Sequence, residues 1–147
     1  MAPTIRDALE GDEAAWRRLW AGYLAFYETE VSDEVTAFTW ARILDPGSRL
    51  SMRLAEEDGA VLGFAIHHYH DSTWDIAPEC YLEDMFVAAA ARGRGIGRAL
   101  IDDLIALSKR SGWRGIYWHT RHDNLRARKL YDSYVETDGH IRYRLQT

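Results

Sequence analysis

Apolar residues recur at helical spacing early in the chain. Trp16, Leu19, Trp20, Tyr23, Leu24 and Tyr27 follow i, i+3, i+4, i+7, i+8, i+11, the stripe of an amphipathic helix. Asp12, a good N-cap type, stands just ahead of it. Ser32-Asp33-Glu34 predicts the start of a second helix, with a capping hydroxyl followed by acids in the first turn, and Pro46-Gly47 ends it. The period then changes to two. Leu50, Met52 and Leu54 alternate with Ser51 and Arg53, Asp58-Gly59 marks a tight hairpin, and 61–70 returns with a bulge expected at Gly63. A strand over 81–87 and a helix over 93–110, with Ile96, Leu100, Leu104 and Leu107 inward, come next. A strand over 115–120, a helix over 124–133 and a last strand carrying Ile141, Tyr143 and Leu145 finish the chain; a short first strand spans 4–9. This order, β-α-α-β-β-β-α-β-α-β, predicts an α/β domain with a mixed sheet.

Residues 1–147 read as one domain, since no repeat or Pro/Gly/Ser-rich linker divides them. No apolar run approaches the roughly 18 residues of a membrane span. The start lacks a charged-then-apolar leader, so a cytoplasmic protein is expected. The single Cys80 excludes an internal disulfide and a cysteine-based zinc cluster. Charge is unevenly spread. Residues 1–91 hold 6 Arg and no Lys against 17 Asp and Glu, whereas 92–147 hold 12 Lys and Arg against 6 acids. A basic second half suits an anionic ligand and an acidic first half a cationic one. The acidic total, −5, argues against nucleic acid.

The anion has an evident place. Arg92-Gly93-Arg94-Gly95-Ile96-Gly97-Arg98 follows a strand and opens a helix. Glycines allow close backbone approach, first-turn N–H groups point outward, and arginines add charge-assisted bonds to phosphate oxygens. A P-loop would need Gly-x-x-x-x-Gly-Lys-Ser/Thr, and a dinucleotide fingerprint Gly-x-Gly-x-x-Gly; glycines at 93, 95 and 97 match neither.

Arg92-x-x-Gly95-x-Gly97 resembles the Gln/Arg-x-x-Gly-x-Gly/Ala pyrophosphate loop of the GNAT acetyltransferase superfamily. Tyr81-Leu82-Glu83-Asp84-Met85-Phe86-Val87 is similar to the preceding strand of the spermidine/spermine acetyltransferases. Tyr117-Trp118, Asn124, Arg126-Ala127 and Leu130-Tyr131 resemble the yeast-type histone/polyamine acetyltransferases. The resemblance covers nearly the whole chain. It implies a single-domain acyl-CoA N-acyltransferase fold with a mixed, mostly antiparallel sheet flanked by helices, acetyl-CoA as co-substrate, and a homodimer. One departure is Tyr134-Val135-Glu136, where members often carry Gly-Phe.

The resemblance also implies roles. Glu83 takes the proton of the acceptor amine, and Tyr131 protonates the coenzyme A thiolate. The backbone at Met85, Phe86 and Val87 and the side chain of Asn124 hold the pantetheine arm, and 92–98 hold the pyrophosphate. Strand alternation puts Tyr81, Glu83, Met85 and Val87 on one face and Leu82, Asp84 and Phe86 on the other, which makes Asp84 the second-ranked acid. On a single helix Asn124 and Tyr131 share a face, roughly 10 Å apart along the axis. Arg126, Arg128 and Lys129 are further candidates to meet the phosphates.

The acceptor is less sharply drawn. Glu28, Glu30, Asp33 and Glu34 lie near Tyr23, Phe26 and Tyr27, and acids with aromatic faces suit a cationic amine. Tyr23, Tyr27, Glu28 and Tyr81 are therefore the expected substrate-binding residues. They point to a polyamine, a diamine or the lysine of a small basic protein. His67, His68 and His70 do not make a metal site, because on a strand 67 points away from the other two. The competing reading is a non-catalytic acetyl-CoA-binding regulatory module on the same fold.

Overall fold

The computed structural model describes residues 2–147. Five strands form one sheet in chain order: β1 (Thr4–Asp7), β2 (Leu50–Glu57), β3 (Ala60–His70), β4 (Glu79–Val87) and β5 (Ile116–Tyr117). The first four pair antiparallel, and β4 with β5 parallel. Helices α1 (Glu13–Phe26) and α2 (Asp33–Leu44) pack on one face, α3 (Ile96–Ser111) on the other, and α4 (Leu125–Asp132) follows β5. This is the mixed, mostly antiparallel α/β sheet that the sequence predicts.

Local chemistry fixes most boundaries. The Ser32 hydroxyl accepts the Val35 N–H at 3.2 Å and caps α2. Asp58 and Gly59 both adopt positive φ, 50° and 77°, as a two-residue hairpin turn requires. The β3 bulge falls at Leu62, beside the expected Gly63: Ala55 faces Gly63 while Glu56 already faces Val61. Asp12 precedes α1 as expected but does not cap it. Its carboxylate instead accepts two bonds from Arg6, at 2.8 and 2.9 Å, and the Leu9 N–H at 2.7 Å.

The core has two halves, one per sheet face. Cys80, Leu82, Ile96, Leu100 and Leu104 fill the α3 side. Trp16, Trp40, Met52, Leu54, Phe64 and Ile66 fill the α1/α2 side. The expected final strand does not form. Residues 133–147 contain no helix or strand, and Ile141, Tyr143 and Leu145 are 79%, 90% and 88% exposed. No backbone pairing holds this segment to β5, the edge strand of the sheet, and pattern alone does not hold a strand.

His67, on the α3 face beside Trp113, is buried with neither ring nitrogen hydrogen-bonded. Burial, aided by the nearby Arg53 charge, pushes its pKa down to about 4 from 6.5. The folded chain therefore resists a proton that the unfolded chain accepts. Stability present above pH 6.5 is lost as pH falls toward 4, on the order of 3 kcal/mol in all. Urea unfolding of wild type and His67→Leu across this window should show that slope in their difference; a constant difference would rule it out.

Candidate active site

The pairing of β4 with β5 is short. Only Cys80–Ile116 and Tyr81–Tyr117 are in register, after which β4 continues to Val87 with no partner on that edge. A cavity of about 350 Å³ opens beside this free edge. Met85, Phe86 and Val87 line it from β4, the glycine-rich turn from the start of α3, Asn124 and Tyr131 from the α4 region, Tyr23 from α1 and Tyr27 from the residue that ends it. Elements far apart in sequence thus meet at one opening.

The turn is built for an anion. Gly93 and Gly95 have φ of 80° and 79°, in the left-handed region that side chains disfavour, and Gly95 caps α3. The first intrahelical bond runs from the Ala99 N–H to the Gly95 carbonyl at 3.0 Å. The Ile96, Gly97 and Arg98 N–H groups consequently have no acceptor within the helix. A Cβ on Gly97 would lie 3.3 Å from Leu130 and 3.8 Å from Met85, so a side chain there would intrude on the cavity wall. Arg92 lines the cavity, its Nε donating to the Val87 carbonyl at 3.1 Å and its guanidinium lying 5.2 Å above the Phe86 ring. Arg98 also lines it and donates to the Ser133 hydroxyl at 2.9 Å. Arg94 does not line it; Glu57 holds its guanidinium.

The alternation expected along β4 holds only as far as Leu82. Ile66 faces Asp84 and His67 faces Leu82, so Glu83 is the extra residue of a bulge. Past it the faces are exchanged. Met85 and Val87 join Leu82 and Cys80 against α3, while Asp84 turns to α1 and Phe86 packs on the core of that side. Glu83 is half exposed, its side chain 49% accessible, and accepts a hydrogen bond from His68 Nε2 at 3.0 Å. Asp84 accepts one from the Tyr23 hydroxyl at 2.6 Å. Burial pushes the Asp84 carboxyl up to about 6, and repulsion from Glu83 adds to this. Burial and the adjoining Asp84 likewise raise the Tyr23 phenol.

Asn124 is the N-cap of α4 rather than a residue within it. Its Oδ1 accepts the Ala127 N–H at 3.3 Å and its Nδ2 donates to Thr120 at 3.3 Å. Tyr131 is largely buried and edge-on to Trp118, with ring centroids 5.5 Å apart. Desolvation pushes its phenol up to about 12.

Residues 13–134 match the model of the acetyltransferase (GNAT) family. The chain belongs to this GNAT family. It is 35% identical to the D-amino-acid N-acetyltransferase HPA3 of Saccharomyces cerevisiae, over 90% of this chain and 84% of the relative. It is 27% identical to the aminoglycoside N(6')-acetyltransferase type 1 of Stenotrophomonas maltophilia, over 98% and 94%. Among solved structures, AAC(6')-Iy in complex with a CoA bisubstrate analogue superposes with a TM-score of 0.84 at 25% identity, over the full length of both chains.

In this GNAT chain the remaining predicted residues occupy two places. Tyr81 stacks on Tyr117 at 4.9 Å and meets His119 edge-on at 5.5 Å, next to the Cys80–Ile116 pairing and outside the cavity wall. Glu28, with φ 52°, sits exposed two residues past α1 and does not line the cavity. Among the described residues no three His, Cys, Asp or Glu side chains are grouped as a metal site. Sequence reasoning missed the Tyr23–Asp84 pair. The signal was present: the apolar positions Cys80, Leu82, Met85 and Val87 are spaced two, three and two, and the three marks the bulge.

Proposed function

We propose that this GNAT acetyltransferase moves the acetyl group of acetyl-CoA onto a primary amine of a small molecule, by direct attack of the amine on the thioester. The observation that carries this is the cavity joining the unpaired β4 edge to the cradle of free N–H groups at α3. The cradle and Arg92 and Arg98 suit the pyrophosphate, and the free edge at Met85–Val87 suits the amides of the pantetheine arm. Relatives named for D-amino acids and aminoglycosides support a small-molecule acceptor. Acidic β4 side chains and the α1 tyrosines suit its amine end. A homodimer belongs to the same reading, with the exposed Ile141, Tyr143 and Leu145 as apolar surface for contact between copies.

Tyr131 is the proton donor to the departing thiolate in this reading. An ordinary thiol near ~8.5 would make a donor at about 12 a poor match. Desolvation acts on both partners, however. Cys80, a thiol buried in this same chain, is itself pushed up to about 12 by burial alone. A thiolate shielded from water beside Tyr131 rises in the same way, and the proton transfer approaches balance. Incubation with acetyl-CoA and a panel of D-amino acids, diamines and aminoglycosides, followed by free-thiol release, tests the proposal. Silence with every amine would favour the non-catalytic module. Tyr131→Phe should lower kcat roughly ten- to a hundredfold and leave acetyl-CoA affinity within about twofold. Loss of affinity with unchanged kcat would remove Tyr131 from the chemistry.

A further inference from the structure

The β4 bulge presents two neighbouring carboxylates to different surroundings. Glu83 projects outward, half in solvent, and is bonded to His68. Asp84 is tucked against α1 under the Tyr23 hydroxyl, immediately before Met85, the first β4 residue of the cavity wall. Tyr23 lines that cavity, so the carboxylate and the acetyl-transfer opening meet at one phenol.

We propose that Asp84, oriented by Tyr23, is the group that receives the proton of the acceptor amine, and that Glu83 with His68 forms the outer rim that attracts the cation. This rests on the acetyl-transfer reading above and names its base. The role expected for Glu83 from resemblance thereby passes to its neighbour. An amine near ~10.4 arrives as an ammonium and cannot attack. Asp84 takes one N–H proton and becomes neutral. The freed lone pair forms the C–N bond and the C–S bond breaks; its electron pair leaves on sulfur, which takes the Tyr131 proton, and the second proton of the attacking nitrogen restores the Tyr131 phenol. Asp84 then returns its proton to solvent. Each turnover converts an ammonium and a thioester into an amide, a thiol and one released proton.

The surroundings suit that task. The titratable groups facing Asp84 are Tyr23 from α1, Tyr27 just past its end, Glu83 and Tyr81 from its own strand and His68 from β3. Burial and Glu83 raise the carboxyl, while the Tyr23 hydrogen bond and His68 hold it down. A base in this position ionises only above the usual carboxylate range, which strengthens its hold on a proton.

The experiment is a pH–rate profile with acetyl-CoA and two probe amines, propane-1,3-diamine and D-phenylalanine. It is run on wild type, Asp84→Asn, Glu83→Gln and Tyr23→Phe, with acetyl-CoA binding and thermal midpoint measured for each variant. Wild type should lose kcat/KM on the acid side with a midpoint near 6. Asp84→Asn should lower kcat about 10²- to 10⁴-fold, abolish that limb, and still bind acetyl-CoA. Glu83→Gln should keep the limb and change mainly KM. Tyr23→Phe removes the hydrogen bond that lowers Asp84, so its limb should move to higher pH, a shift that loss of packing alone would not cause. A limb that survives Asp84→Asn, or disappears in Glu83→Gln, overturns the assignment. No turnover by wild type with the whole amine panel would overturn the acetyl-transfer reading instead.

Discussion

Trp16→Ala should cost this protein about 3 kcal/mol, the largest loss expected from a single side chain away from the site. Trp16 is fully buried on α1, stacked between Trp20 at 5.5 Å and Trp40 of α2 at 5.4 Å. It joins both helices to the sheet residues Met52, Leu54 and Phe64. Truncating a buried Trp typically costs about 3–5 kcal/mol, and each aromatic pair carries about 0.5–1.5 kcal/mol of that beyond its area. One effect runs the other way: the Trp16 Nε1–H is buried without a partner, and the truncation removes that group too. The net loss therefore falls at the low end. Trp16→Phe separates the two contributions, because it keeps a ring in the stack and discards the orphaned N–H. It should cost under about 1.5 kcal/mol in urea unfolding. Equal losses for Phe and Ala would show that the N–H is bonded and that stacking matters little. With total stabilities of about 5–15 kcal/mol, the Ala variant loses a large share. It also loosens the helix that carries Tyr23 and Tyr27, so turnover should fall with it.

What the sequence made legible follows from how local each cause is. The α1 stripe, the Ser32 cap and the Asp58-Gly59 turn are written within a few residues, and each forms where expected; α3 starts at Ile96, three residues later than expected, because Gly93 and Gly95 hold positive φ. Most departures have causes outside the local pattern. Asp12 is taken from its cap by Arg6, six residues back, which also binds Glu56 on β2. The strand pattern at Ile141, Tyr143 and Leu145 needs a partner edge that nothing local supplies. Asn124 lies beside the cavity as expected but at the end of its helix, since its side chain closes the first turn. The bulge at Glu83 matters most for the site. It inverts the faces of β4 and sends Asp84 to Tyr23, 61 positions away in sequence. Reading alternation through Glu83 without a break reverses the two acids.

Asp84→Asn should stabilise the fold at neutral pH while stopping turnover, a pairing of signs that few substitutions produce. Asp84 has a folded pKa of about 6 against 3.8 for a free carboxyl. The folded chain therefore prefers it protonated, so its contribution is fully present below pH 3.8 and lost as pH rises through about 6. At a pH of about 7.5 the ionised group weakens the fold by up to about 3 kcal/mol, because each tenfold change in proton affinity is worth about 1.4 kcal/mol. Asparagine retains an acceptor for the Tyr23 hydroxyl and carries no charge, so this penalty is relieved. A rise in unfolding midpoint for Asp84→Asn near pH ~7.5, absent near pH ~3.5, is the expected result; destabilisation at both would refute it. His67 acts with the opposite sign over nearly the same range, losing stability as pH falls from 6.5 toward 4. The two slopes offset each other in wild type, and Asp84→Asn should unmask the His67 slope. A costly carboxylate held beside the cavity, balanced by a histidine on the opposite face, accords with the proposed role of Asp84 as proton acceptor.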